Sequence, residues 1–255
     1  MSVSVDTVYQ RVLSILNKEQ RGYVTPQEFN LFANQAQLDL FEQYFYDINQ
    51  FGRIPGNDTE YSDMLTVLNE KINLFETTAT PTYISTVGLE GFTLPSNLYR
   101  LGTIIYENSV TKLVLQPPPL GPNTPVTTVE QIEVERVNAN EFLYINSSSF
   151  TKPKNIRPIY VANSNGFRAY GDSELTSGIK CNYIRKPATV NWGYQIVFGE
   201  ALYSASTSTN FELHPSEETE LVIKILELAG ISIKDLQLYQ VAGGEEIKNT
   251  QQEKA

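Results

Sequence analysis

The sequence predicts an α+β protein in which N- and C-terminal helices form one helical bundle and carry an inserted antiparallel β-rich domain. Three observations predict it. Before about residue 80 and after about residue 213, apolar side chains recur at three- and four-residue steps, the helical period. Between them the chain reads as short strands separated by prolines and polar turns. Charge follows the same division: residues 1–80 carry a net −6, residues 81–212 a net zero, and residues 213–255 a net −4. The expected domains are therefore 1–80 with 213–255, helical and acidic, and 81–212, β-rich.

The first helix is expected from about Thr7 to Lys18, with Asp6 as N-cap and Val8, Val12, Ile15 and Leu16 on its apolar face. The second has the strongest local signal. Thr25-Pro26-Gln27-Glu28 places a hydroxyl at the N-cap, proline at N1 and a carboxylate at N3, which is a capping box. Apolar residues from Phe29 to Ile48 then repeat in a stripe wider than one contact seam, so this helix should meet core neighbours on two sides; the alternative for the extra width is a subunit interface. A third helix is expected from about Asp63 to Phe75, burying Met64, Leu65, Leu68, Ile72 and Phe75.

From Thr77 the period changes. Strands are expected at 91–95, 98–106 and 111–115, the last two joined by a turn at Glu107-Asn108-Ser109. Pro117, Pro118, Pro119, Pro122 and Pro125 read as a stiff extended loop that cannot join a central ladder. A strand at 131–137, a short helix at 139–145 and strands at 157–162, 166–170 and 178–185 follow. Asn165-Gly166 marks a tight hairpin, since both residues tolerate positive φ. In the last segment Ser216 is the expected N-cap, Leu221, Val222, Ile225, Leu226 and Ala229 the buried face, and Gly230 the stop. A second short helix is expected over 234–240, and a polar tail over 243–255 that orders only on a partner.

Composition narrows the chemistry. A net charge of −10 argues against a basic nucleic-acid reader, which needs cations to displace phosphate counterions. One cysteine, Cys181, excludes an internal disulfide framework. The N-terminal residues lack the basic and apolar regions of a signal peptide, and no apolar stretch is long enough to span a bilayer. With His214 as the single histidine, no His-based metal cluster can form, and its place before Pro215 at a helix start suits a structural role. Phosphate-binding glycine motifs are missing. The expectation is no enzyme, no cofactor and no metal.

Several phrases resemble a known family. Phe29 to Phe51 is similar to the long second helix of bacteriophage head–tail connector proteins, and Phe92-Thr-Leu-Pro-Ser-Asn-Leu-Tyr-Arg-Leu101 to the strand–turn phrase that opens their inserted domain. Pro158-Ile-Tyr-Val161, Cys181-Asn-Tyr-Ile-Arg-Lys-Pro187, Trp192-Gly-Tyr194 and the run Leu213 to Lys224 resemble neck ring proteins of crAss-like podoviruses. The likeness spans nearly the whole chain in order, without any one phrase being a functional signature. It implies a connector or adaptor of the tail tubular protein A type: a virion structural protein, assembled in the bacterial cytoplasm, that forms a ring of twelve copies beneath the portal. Such a ring extends the DNA channel and seats further neck or tail proteins. Its acidic surplus would let DNA slide without sequence-specific binding.

The expected partner-binding residues are Leu236, Leu238, Tyr239, Val241 and Ile247 near the C-terminus, with Pro117, Pro118 and Pro119 in the proline-rich arm. The loops at 146–154 and 204–210 are further candidates for contact between rings. The alternative function is a tail-associated glycan-binding module or hydrolase that stacks sugars on exposed Tyr160, Tyr170, Trp192 and Tyr194.

Overall fold

The computed structural model describes residues 2–18, 24–51, 64–86, 88, 90–114, 124–233, 244 and 248. Its elements in chain order are α1 (Val5–Lys18), α2 (Pro26–Phe51), α3 (Met64–Asn73), β1 (Glu76–Ala79), β2 (Thr82–Ile84), β3 (Gly91–Thr93), β4 (Leu98–Val114), β5 (Thr124–Glu133), β6 (Glu135–Val137) and α4 (Ala139–Ser147). There follow β7 (Ile159–Asn163), β8 (Gly166–Tyr170), β9 (Glu174–Leu175), β10 (Ile179–Arg185), β11 (Tyr194–Val197), β12 (Glu200–Tyr203) and α5 (Glu218–Ile233). The chain divides into a terminal unit, Met1–Phe75 with Pro187–Ala255, and a central unit, Glu76–Lys186.

The expected helical bundle with an antiparallel β insertion is not what forms. The described chain is mostly β, with strands in sheets of four, two and six and helices scattered among them. Helical periodicity correctly marked α1, α2, α3 and α5 but could not say what covers them. In the terminal unit the cover is partly extended chain from residues 187–213, including a β-hairpin. Within the central unit α4 interrupts the strands, and β6 pairs with β7 in parallel, so the sheet there is not wholly antiparallel.

In the terminal unit, α1 buries Val5, Val8, Tyr9, Val12 and Leu16 while Ile15, expected inside, is exposed. The box at the start of α2 forms as the sequence requires: Glu28 accepts the Thr25 amide at 2.9 Å, and the Glu28 amide points to the Thr25 hydroxyl at 3.3 Å. Phe29, Ala33, Ala36, Leu40, Phe41 and Tyr44 then line its buried face. Phe41 sets its ring edge against Phe75 at 4.8 Å. α2 packs against α3 and α5, and α1 against α5.

Two caps differ from expectation. α1 starts earlier than expected, so Ser4 receives the Thr7 amide at 3.4 Å and Asp6 is released for another partner. Before α5 the chain makes a 3-10 turn over Pro215–Glu217, capped not by Ser216 but by the His214 ring, whose Nδ1 accepts the Ser216 amide at 3.3 Å. α5 also runs through Gly230 to Ile233 rather than stopping there.

In the central unit, β1-β10-β4-β5 form one antiparallel sheet and β2-β3-β8-β7-β6 the other, with β9 on β8. Their shared core holds Phe92, Ile104, Phe167, Ile179 and Cys181. Ser164-Asn165 turns β7 into β8, one residue before the expected Asn165-Gly166 pair, and Gly166, the first residue of β8, has φ 153°. A Cβ there would lie 1.9 Å from the Phe92 carbonyl oxygen, so only glycine fits between β3 and β8. The turn expected at Glu107-Asn108-Ser109 does not exist: these residues pair with Gln131, Glu130 and Val129, and β4 continues to Val114. No glycine follows Asn108 to supply the positive φ of a tight turn. Because β10 ends opposite Tyr106, the ribbon beyond has only β4 and β5, and Pro125 sits in the edge strand, where a missing N–H is tolerated.

Candidate functional site

The most organised polar arrangement in the terminal unit is built on α2. Asn30, Asn34 and Gln37 stand at steps of four and three residues, on the side of the helix that also buries Ala33. They read the backbone of the extended segment 188–192 as a neighbouring strand would. Gln37 donates to the Ala188 carbonyl at 2.9 Å. Asn34 donates to the Val190 carbonyl and accepts the Val190 amide, both at 2.8 Å. Asn30 accepts the Trp192 amide at 2.7 Å. The same end of the segment is fixed again by Glu212, which accepts the Ala188 amide at 2.7 Å while donating its own amide to Gln37 at 3.1 Å.

This clamp delivers Trp192 to the core. The indole is 2% exposed, donates from Nε1 to Asp6 at 3.0 Å, and meets the Tyr9 ring at 4.4 Å. Tyr194 and Tyr203 cover its other side at 5.9 and 5.8 Å. Those tyrosines are the paired roots of the β11–β12 hairpin. Trp192 and the clamp thus set where the hairpin leaves the unit.

At the far end of the hairpin the character reverses. Phe198 and Gly199 make the two-residue turn, with φ of 54° and 87°. Both central residues of such a turn need positive φ, a conformation that asparagine or glycine adopts readily and a bulky aromatic resists. The Phe198 ring is nonetheless fully exposed, as are Ile196 and Leu202 beside it for the most part. A bulky aromatic held at positive φ and presented to solvent makes this tip a candidate contact point.

Ionic chemistry is sparse and structural in setting. Lys71 and Glu217 pair at 2.6 Å, both largely buried, with the ammonium 5.4 Å from the centre of the Tyr44 ring. They border a recess of about 250 Å³ between α2, α3 and the start of α5. In the central unit, Arg168 pairs with Glu90 and donates to its carbonyl at 2.9 Å. Tyr83 donates to Glu174 at 3.2 Å, and burial together with that carboxylate holds its hydroxyl above the usual phenol range. Burial likewise pushes the Cys181 thiol up. A recess of about 500 Å³ forms an open trough over Thr77, Arg100, Gly102 and Asn182. Among the described residues no group of three or more His, Cys, Asp or Glu side chains gathers to hold a metal, and no helix is long and apolar enough to cross a membrane.

Leu236, Leu238, Tyr239, Val241, Ile247, Pro117, Pro118 and Pro119 all lie outside the described residues, as do the expected helix at 234–240 and nearly all of the tail. The 204–210 stretch is not a free loop: Ser208 bonds the Ser204 carbonyl at 2.7 Å and receives the Gly193 amide at 2.9 Å, bracing the hairpin root. The 146–154 loop does present Phe150, almost wholly exposed. Of the four aromatics proposed as a sugar platform, Trp192 and Tyr160 are buried, and Tyr170 stacks on Phe142 at 4.4 Å. The sequence signal missed here was Phe198-Gly199 between two alternating runs. Compared with known proteins, the chain matches no family model and no curated protein.

Proposed function

We propose that the chain is a virion structural protein, a subunit of a phage neck that joins portal to tail as one copy in a ring and extends the DNA channel. The reading rests on the resemblance described above, and one observation carries it on the structural side: Phe198, strained and fully exposed at the tip of a clamped hairpin. An aromatic side chain of about 150 Å² or more, left in water, is stabilised when a neighbouring subunit covers it. The clamp fixes the root of the hairpin so that the tip is presented rigidly, which lowers the entropy lost on docking. The acidic excess also suits a channel wall. The terminal unit sums to −11 and the central unit to +1, and a negative lumen repels the DNA backbone.

The test is negative-stain imaging and sedimentation of the full chain, alone and mixed with purified portal. A ring, free or seated on portal, is the expected result, and Phe198→Ser should shift it towards smaller species. A chain that stays monomeric in both conditions and never binds portal would sink the reading.

A further inference from the structure

We propose that neighbouring copies meet head to tail through two surfaces of this chain, the outer stripe of α2 on one copy and the loop after α4 on the next. The inference rests on the ring reading above and names a contact that would build the ring.

α2 is a two-faced helix whose second face has the wrong composition for solvent. Opposite its buried side, Leu31, Gln35, Leu38, Glu42 and Tyr46 follow one another at steps of four, three, four and four residues. Leu31 is 72% exposed and Tyr46 59%. The stripe runs for about 22 Å at the helical rise of about 1.5 Å per residue. An outward face is ordinarily polar, and apolar anchors at this spacing suit a groove or patch on another protein. Every charge on α2 is negative, Glu28, Asp39, Glu42 and Asp47, with no lysine or arginine along its 26 residues. Whatever covers the stripe must bring apolar area and cations together.

The central unit carries such a patch. α4 has no buried residue, and it exposes Leu143 and Tyr144. Phe142 holds the helix down on Tyr170, and beyond it the chain folds back: Thr151 donates to the Ile145 carbonyl at 3.0 Å and the Lys152 amide to the Ser148 carbonyl at 3.0 Å. That turn displays Phe150, 99% exposed, next to Lys152 and Lys154. Among the described residues neither lysine is in an ion pair.

Charge selects the occupant. A symmetric contact through this stripe would set Asp39 and Glu42 against the same carboxylates of the other copy, with Asp47 buried on the inner side and Glu28 held in its capping box. A contact between the terminal unit, at −11, and the central unit of the next copy, at +1, avoids that opposition and pairs Asp39 and Glu42 with lysines. Two different patches on one chain make a heterologous contact, the kind that closes into rings.

The test uses full-length Leu38→Cys and Phe150→Cys variants, mixed in equal amounts under assembling conditions, with portal present if assembly needs it, and treated with a short bis-maleimide. The native Cys181 is buried and silent. A covalent dimer in the mixture and not in either variant alone is expected. In parallel, Lys152→Glu with Lys154→Glu should raise the concentration for half-assembly at least tenfold, and Asp39→Lys with Glu42→Lys in the same chain should restore it. Rings that form without the mixed cross-link, or Leu38→Cys linking to itself, would overturn the contact and leave the ring reading standing. No oligomer in any condition would sink both. A cross-link confined to a chain carrying both cysteines would show the two patches meeting within one copy, and would overturn the contact as well.

Discussion

Asn34 and Val190 are joined as two strands are joined, although one of them is in a helix: the side-chain amide both donates to and accepts from the Val190 backbone, each at 2.8 Å. Val190 is buried, so neither backbone group has water to fall back on. Asn34→Leu should therefore cost about 2–4 kcal/mol, the penalty of leaving a buried donor and a buried acceptor unmade. Urea unfolding followed by the emission of Trp192, the single tryptophan, measures it. An unchanged midpoint would show that the clamp is dispensable.

The Lys71–Glu217 pair predicts a strongly non-additive cycle. The Glu217 side chain is 4% exposed, and Lys71→Met strands its carboxylate in the core. A loss of about 3–5 kcal/mol is expected, whereas Lys71→Met with Glu217→Leu should recover most of it. Equal losses in the single and double variants would contradict the assigned burial.

Gly166→Ala should damage the central unit. The substitution forces a methyl into the Phe92 carbonyl at a φ that only glycine holds cheaply. The expected cost is about 3 kcal/mol, with early loss of amide-exchange protection in β3 and β8. Full protection there would rule out so close an approach of the two strands.

Acid should weaken the protein through identifiable carboxylates. The Thr25 amide, then its hydroxyl, hold Glu28 below the usual 4.5, and the Lys180 ammonium does the same for Glu107 at 2.6 Å. A carboxylate with a lowered folded value adds stability that is fully present above 4.5 and is lost as pH falls through the lowered value. Glu28→Gln with Glu107→Gln should flatten the stability-versus-pH curve below 4.5. A curve as steep as the parent's would refute this origin.

Local signals were legible in the sequence where one residue's chemistry decides the outcome. The capping box at Thr25 and Glu28 and the α5 stripe formed as read, and a tight hairpin formed beside Asn165-Gly166, with its turn one residue earlier. Failures came where partners are distant. Asn30, Asn34 and Gln37 look like solvated helix positions until the segment 188–192 is laid beside them. Trp192 looks available for stacking until Tyr9 covers it. The same gap defeated the expected fold class, because periodicity reports that a face is buried without reporting whether a helix, a hairpin or extended chain does the burying. Leu31, Leu38 and Tyr46 fell outside the apolar stripe read from Phe29 to Ile48, and only the structure shows them as an exposed outer face of α2.

The clamp also orders events at the ribosome. Asn30 is synthesised 162 residues before Trp192, and at about 5–20 residues per second that gap lasts roughly 8–32 seconds. All strands of the central unit emerge in the interval, so it can complete its sheets while α1 and α2 still wait for the chain that will cover them. For that time Asn30, Asn34 and Gln37 lack their backbone partners, although Phe41 can already meet Phe75 and Phe29 can meet Tyr9. The terminal unit is thus the part of the nascent protein that calls for a holding chaperone, and its dependence ends only when α5, made after Ala188, Val190 and Trp192, packs on α1 and α2.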